Sequence, residues 1–210
     1  MPRVDFPLYL ITDRHQTAGR PLSSTVAEAL AAGVPAVQLR EKTLGTRALL
    51  DLAEGLMQLT RAAGAKLFIN DRIDLVMGLR ADGVHLRSSS ISVAVARRLL
   101  GPAPLIGISV HAPQEVVRAE QDGADFAVLG PIYETSSKLG YGPPIGLDPL
   151  EEAVRRSRIP IFAIGGITAH RAAEVRRAGA YGVAVISSIL AAESVSSSTR
   201  ALLHSLGTRR

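Results

Sequence analysis

The chain has 210 residues, 47% of them apolar, carries a net charge of +5 and contains no cysteine. That length holds one compact domain with a full core and little else. Without cysteine there is no disulfide framework and no thiolate chemistry. No run is long and apolar enough to span a bilayer, and no secretory apolar segment follows Met1, so the expectation is a cytoplasmic protein with no membrane partner. The basic excess lies in separated pairs, Arg97-Arg98, Arg155-Arg156 and Arg176-Arg177, and aromatics make up only 4% of the chain. That pattern fits solvated helix faces rather than a nucleic-acid surface, although a modest positive field still steers small anions.

In chain order, apolar runs fall at residues 8–12, 36–39, 66–69, 83–86, 105–110, 126–132, 160–167 and 182–187. Most are continuous rather than alternating, as strands buried on both faces require. Helical patterns lie between them. The clearest covers residues 46–61, with Leu49, Leu52, Ala53, Leu56 and Leu59 on one stripe. Thr25 and Glu28 have capping-box spacing, and Gly33 and Gly64 follow their helices as C-terminal caps. The serine-rich stretch 194–199 reads as a turn or a weak point in the last helix. Strand and helix alternate to the end, which predicts an α/β fold: a single-domain TIM (β/α)8 barrel over residues 1–210.

In such a barrel, chemistry sits at the carboxyl ends of the strands. The first strand runs into Asp13. The second supplies Gln38, Arg40 and Lys42, alternate residues on one side of an extended strand. Asn70-Asp71-Arg72 follows the third; Asp71 has either Arg72 or Lys42 as an ion-pair partner. His85 on the fourth reads as a satisfied core histidine, with Arg87 and a run of serines after it. The fifth gives Ser109 and His111, the latter on the rim. The sixth leads into a long loop, 134–146, whose glycines and prolines predict a mobile lid carrying Thr135 and Lys138. The last two strands end in Gly165-Gly166 and Ile186-Ser187-Ser188, small residues whose backbone N–H groups can cradle a phosphate.

Val37-Gln38-Leu39-Arg40-Glu41-Lys42, Phe68-Ile69-Asn70-Asp71-Arg72, Asp82-Gly83-Val84-His85-Leu86, Gly107-Ile108-Ser109-Val110-His111, Gly130-Pro131-Ile132-Tyr133 and Ala163-Ile164-Gly165-Gly166-Ile167 follow one another through nearly the whole chain. This series resembles the thiamine phosphate synthase/thiazole tautomerase (TenI) superfamily. In the synthase branch, the resemblance implies that Gln38, Arg40, Lys42, Asn70 and Lys138 contact a pyrimidine diphosphate and that Asp71 is one ligand of Mg²⁺. The second family ligand is an Asp in a Gly-Gln-x-Asp segment, where this chain has Arg87-Ser88-Ser89-Ser90. The tautomerase branch needs neither metal nor diphosphate, and its catalytic histidine corresponds to His111.

The departure after the fourth strand therefore leads to an expected isomerase. It would be a thiazole tautomerase of thiamin biosynthesis, moving a proton within a carboxythiazole phosphate through His111 without a cofactor. Gly165, Gly166, Ile186, Ser187 and Ser188 would hold the phosphate, and Gln38, Arg40, Lys42, Asn70, Thr135 and Lys138 the rest of a small phosphorylated thiazole. The alternative is a Mg²⁺-dependent thiamine phosphate synthase. A third reading is a non-catalytic protein that binds a phosphate ligand on the same scaffold. The sequence does not set the oligomeric state; a homodimer is the working expectation.

Overall fold

The computed structural model describes residues 4–135 and 143–207. Eight parallel strands close into a barrel in sequence order: β1 (Leu8–Ile11), β2 (Ala36–Leu39), β3 (Lys66–Asn70), β4 (Gly83–Leu86), β5 (Leu105–Val110), β6 (Phe126–Leu129), β7 (Ile161–Ile164) and β8 (Gly182–Val185). Closure is made by β1 on β8, with Leu8 beside Val183 and Leu10 beside Val185. The helices between the strands are α1 (Leu22–Ala31), α2 (Thr46–Ala62), α3 (Ile73–Leu79), α4 (Val93–Leu100), α5 (Pro113–Gln121), α6 (Asp148–Arg156) and α7 (Ala169–Arg177). After β8 come a single turn, α8 (Ser187–Leu190), and the terminal α9 (Val195–Leu206).

The two-residue period of the strands divides the apolar residues between two cores. Leu8, Leu10, Val37, Leu39, Leu67 and Ile69 face outward and pack under the helices, against Val26, Leu30, Leu56 and their neighbours. Tyr9, Ile11, Phe68, Phe126, Val128 and Phe162 face inward and fill the barrel with Phe6. The chain has only four phenylalanines, and all of them are in this interior group. Phe126 meets its neighbours edge to face, which the quadrupole of each ring favours, with Phe6 at 5.7 Å and 89° and Phe68 at 5.4 Å and 83°, while Phe6 stacks on Phe162 at 5.4 Å.

Rings of that size need empty neighbours. An added Cβ at Gly83 would come within 2.6 Å of Phe68, at Gly107 within 2.6 Å of Phe126, and at Gly182 within 2.9 Å of Phe162. Glycine on β4, β5 and β8 is therefore the space into which the phenylalanines of β3, β6 and β7 project, a large-to-small pairing around the barrel wall.

Several local expectations change. β6, β7 and β8 are shorter than their apolar runs because Ile132, Ile167 and Ile186 turn with the loops that leave the barrel. Thr25 lies inside α1 and bonds back to the Pro21 carbonyl at 2.9 Å, so no capping box forms. Glu28 instead accepts from the backbone and hydroxyl of Ser196, each at 3.0 Å, and ties α1 to the start of α9. The serine-rich stretch is that start: Ser194 caps α9 by accepting from Ser197 N at 3.2 Å. Gly33 does close α1 as expected, at φ +102° with Val34 N bonded to Ala29 O at 3.1 Å. The α2 stripe is also present, with Leu49, Ala53 and Leu56 buried and Leu52 and Leu59 at its margin.

Candidate active site

The polar residues at the carboxyl ends of the strands surround a cleft of about 320 Å³. Gln38, Arg40 and Lys42 all line it, Gln38 from β2 and the other two from the turn after Leu39. Arg87, Ser109, His111, Ile164 and Ile186 also line it, together with Asp13 and His15 from the loop after β1. Asn70 and Asp71 stand behind it on the β3 end, and Asp71 reaches the cleft through Arg87.

A buried polar tier separates this cleft from the phenylalanines below. Gln38, 1% exposed, donates to the Tyr9 hydroxyl at 3.1 Å. That hydroxyl lies 3.5 Å from His85 Nδ1, and His85 Nε2 lies 2.9 Å from Ser109 Oγ. His85 is thus a buried histidine that joins two cleft-lining residues through Tyr9. Burial pushes the Tyr9 phenol well above its ordinary range, which keeps it a neutral donor and acceptor within the chain.

Glu41 is the residue the sequence reading missed. Alternation along β2 would send it away from Arg40 and Lys42, but β2 ends at Leu39 and the chain turns, so Glu41 also lines the cleft. Thr12 donates to its carboxylate at 2.8 Å and accepts from Arg40 N at 2.9 Å, while Arg14 N donates at 3.2 Å. Burial raises the Glu41 carboxyl above its ordinary value, and the Thr12 and Arg14 donors oppose that rise. The unit fixes the backbone from which Arg40 projects.

His111 stands on the rim at the end of β5. Its Nδ1 lies 2.6 Å from the Gly130 carbonyl, which can only accept, so Nδ1 is the donor in this contact. Its backbone N–H donates to Glu115 at 2.7 Å, which pins the strand end to α5.

Beside the cleft, and sharing Ile164 and Ile186 with it, is a recess of about 40 Å³ walled by Thr135, Gly165, Gly166, Ser187 and Ser188. Gly165 and Gly166 have φ +98° and +63°, a left-handed path on which side chains are strained. A Cβ on Gly166 would also meet Tyr133 Cβ at 2.9 Å. Ser188 Oγ donates to the Ile167 carbonyl, so this residue faces the recess through its backbone. The glycine pair is braced from outside: Arg171 donates to Gly166 O at 2.8 Å and lies 4.5 Å over the Tyr133 ring, and Tyr133 donates to Glu174 at 2.7 Å. Partial burial and the Glu174 carboxylate push the Tyr133 phenol up to about 12. Neither Arg171 nor Glu174 carried any signal in the sequence, because helix α7 presents them only once it packs beside the β7 loop. Lys138 and most of the expected lid lie outside the described residues.

Asp71 pairs with neither Arg72 nor Lys42. Arg72 turns to Asp74 at 2.6 Å, whereas Asp71 accepts from Arg87 Nε at 2.5 Å, from Asn70 Nδ2 at 3.1 Å and from Ser90 Oγ. The left-handed backbone at Asp71, φ +61°, aims its carboxylate at the β4 loop rather than back along α3. Among the described residues no group of three or more His, Cys, Asp or Glu could hold a metal. The oxygens present still fit a Mg²⁺ ion of the kind that is anchored by one carboxylate and completed by substrate phosphate and water. Asp71 supplies the carboxylate, and Asn70 Oδ1 is buried with no hydrogen-bond partner beside it.

A family model described as thiamine monophosphate synthase matches residues 8–189. A putative thiamine-phosphate synthase of Geobacter sulfurreducens is 49% identical over 209 residues, covering 100% of this chain and 98% of the relative. A thiamine-phosphate synthase of Roseiflexus castenholzii is 46% identical over 195 residues, covering 93% of this chain and 86% of its own. Among solved structures, a thiamine phosphate pyrophosphorylase from Pyrococcus furiosus superposes with a TM-score of 0.87 at 37% identity, over 96% of this chain and 95% of that one. These similarities overturn the tautomerase expectation, because relatives matched end to end carry the synthase name. The segment Arg87-Ser88-Ser89-Ser90 was a poor discriminator for a physical reason: it removes one anionic ligand but adds a guanidinium to the same cleft. The residue pattern, the closed barrel and the matched span together place the chain in the thiamine monophosphate synthase (TMP-TENI) family.

Proposed function

We propose that the chain is a thiamine phosphate synthase, a transferase that joins hydroxymethylpyrimidine diphosphate to a thiazole phosphate. The observation that carries this reading is a pair of adjoining sites, a cleft that presents Arg40, Lys42 and Arg87 alongside Asp13 and Glu41, and a small glycine-serine recess beside it. Coupling two phosphorylated substrates places a diphosphate among the three cations of the cleft and a phosphate in the recess.

Coupling forms a carbon–nitrogen bond to the thiazole and breaks the carbon–oxygen bond to the diphosphate, which leaves with the bonding electron pair. Negative charge accumulates on the departing group, so cations fixed beforehand around it lower the barrier. Arg40 and Lys42 supply them from the turn after β2, with Arg40 held by the Thr12–Glu41 unit. Gln38 and Ser109, locked from below by Tyr9 and His85, orient the pyrimidine, and His111 contacts substrate from the rim. Gly165, Gly166, Ile186, Ser187 and Ser188 take the thiazole phosphate, with Thr135 beside it. Asp71 and Asn70 would hold Mg²⁺, whose chemistry is to neutralise and polarise the diphosphate.

The test is formation of thiamin phosphate and pyrophosphate from the two purified substrates with Mg²⁺ present. Stoichiometric release of both products is expected. A chain that binds both substrates and yields neither product would refute the reading.

A further inference from the structure

We infer that Arg87 is a second, protein-borne cation for the diphosphate, so that this site binds a diphosphate without first loading a metal. The identity of the anion rests on the synthase reading; the cation itself rests on the geometry around Asp71. The Asp71 carboxylate holds Arg87 Nε at 2.5 Å, Arg87 N–H donates to Ser90 Oγ at 2.8 Å, and Ser90 donates in turn to Asp71. This three-membered clamp aligns the guanidinium from behind. Its terminal amino groups make no hydrogen bond to a described residue, the side chain is 44% exposed, and it lines the cleft with Arg40, Lys42 and His111. A guanidinium held through Nε keeps its outer N–H donors for an anion, in the planar fork that matches phosphate oxygens.

Charge arithmetic explains why this matters. Two carboxylates facing a diphosphate repel it until a divalent cation intervenes. Arg87 neutralises Asp71, which leaves Arg40 and Lys42 to face the diphosphate from a cleft that Asp13 and Glu41 also line. Arg87 and Ser90 occupy the segment in which the family has its second carboxylate, so the same exchange that weakens the metal site supplies a cation. Metal at Asp71 and guanidinium at Arg87 then act on one ligand in parallel.

The probe is inorganic pyrophosphate, titrated calorimetrically into the full chain in EDTA and again in Mg²⁺, with unfolding curves recorded for every variant. Wild type is expected to bind in EDTA. Arg87→Gln should weaken that metal-free binding about 10–100-fold, the worth of charge-assisted hydrogen bonds, with a smaller loss in Mg²⁺. Arg87→Lys keeps the charge without the fork and should fall between the two, which reads the same role independently of the glutamine variant. The double variant Arg87→Gly with Ser90→Asp should lose binding in EDTA and tighten it as Mg²⁺ is added. Binding by wild type only in Mg²⁺, or metal-free binding equal in wild type and the Arg87 variants, overturns the inference. Product formation is assayed in parallel. Metal-free pyrophosphate binding without any coupling would sink the synthase reading alone, and coupling without metal-free binding would sink this inference alone.

Discussion

At the amino end of the barrel, Phe6 meets Phe68, Phe126 and Phe162 at 5.4 to 5.7 Å, and glycines on the neighbouring strands make the room for them. At the carboxyl end, the same inward-facing positions carry Gln38, Asn70, His85 and Ser109, and the interior opens into a cleft. One end gains its stability from apolar area and close ring contacts. The other holds most of its polar groups in place by linking each to the next, because a buried polar group without a partner costs more than it returns; Asn70 Oδ1 is the exception. The Gln38–Tyr9–His85–Ser109 tier is the seam, where one tyrosine packs its ring against Phe68 at 5.3 Å and turns its hydroxyl to the polar side. Stability and chemistry are thus stacked along one axis and can be perturbed separately.

The sharpest way to break this division is Phe126→Ala. Phe126 is fully buried and touches Phe6, Tyr9, Phe68 and Phe162, and its ring also meets that of His85. Its loss should cost about 3–5 kcal/mol in chemical denaturation, the usual range for a deleted core ring. Turnover per folded molecule should stay near wild type, and a collapse of turnover in a folded variant would show that the two ends are coupled.

A smaller effect, confined to the other end, is expected from Gly166→Ala. The left-handed φ of +63° and the nearby Tyr133 Cβ leave no place for a methyl group, so the recess must deform. The Michaelis constant for the thiazole phosphate should rise about tenfold or more, about 1.4 kcal/mol, with that for the pyrimidine diphosphate little changed. Equal losses for both substrates would mean that the recess and the cleft are not separate stations.

The smallest effect tests the polar end through pH. The folded-state pKa of Glu41 is raised, so its contribution to stability is fully present below the ordinary carboxyl value near 4.5 and is lost as pH rises through the raised folded value. Glu41→Gln removes that dependence. The stability of wild type relative to Glu41→Gln should therefore decline as pH rises from below the ordinary carboxyl value through the raised one. A difference that stays flat, or grows with pH, would show that the Thr12 and Arg14 donors outweigh burial.

How much of this was legible differs by residue. The continuous apolar runs predicted every strand, and the glycine and serine pairs marked the recess, because those signals are local: two-sided burial needs unbroken apolar sequence, and a left-handed turn needs glycine. Gln38, Arg40 and Lys42 were legible from a two-residue period. Glu41 was not, since its position depends on the turn that follows β2. The partner of Asp71 was also misread, because Arg87 is 16 residues away and meets it only when β3 and β4 lie side by side.

The sequence by itself determined the eight-fold alternation, the chemistry available at each strand end and the family. It could not decide between branches, because a single missing carboxylate does not reveal what replaces it in space. The tertiary structure alone decided that Arg87 is aimed by Asp71, that Tyr9 and His85 join Gln38 to Ser109, and that Arg171 and Tyr133 brace the glycine pair. All of these are contacts between distant segments, and only closure of the barrel brings such segments within hydrogen-bonding reach.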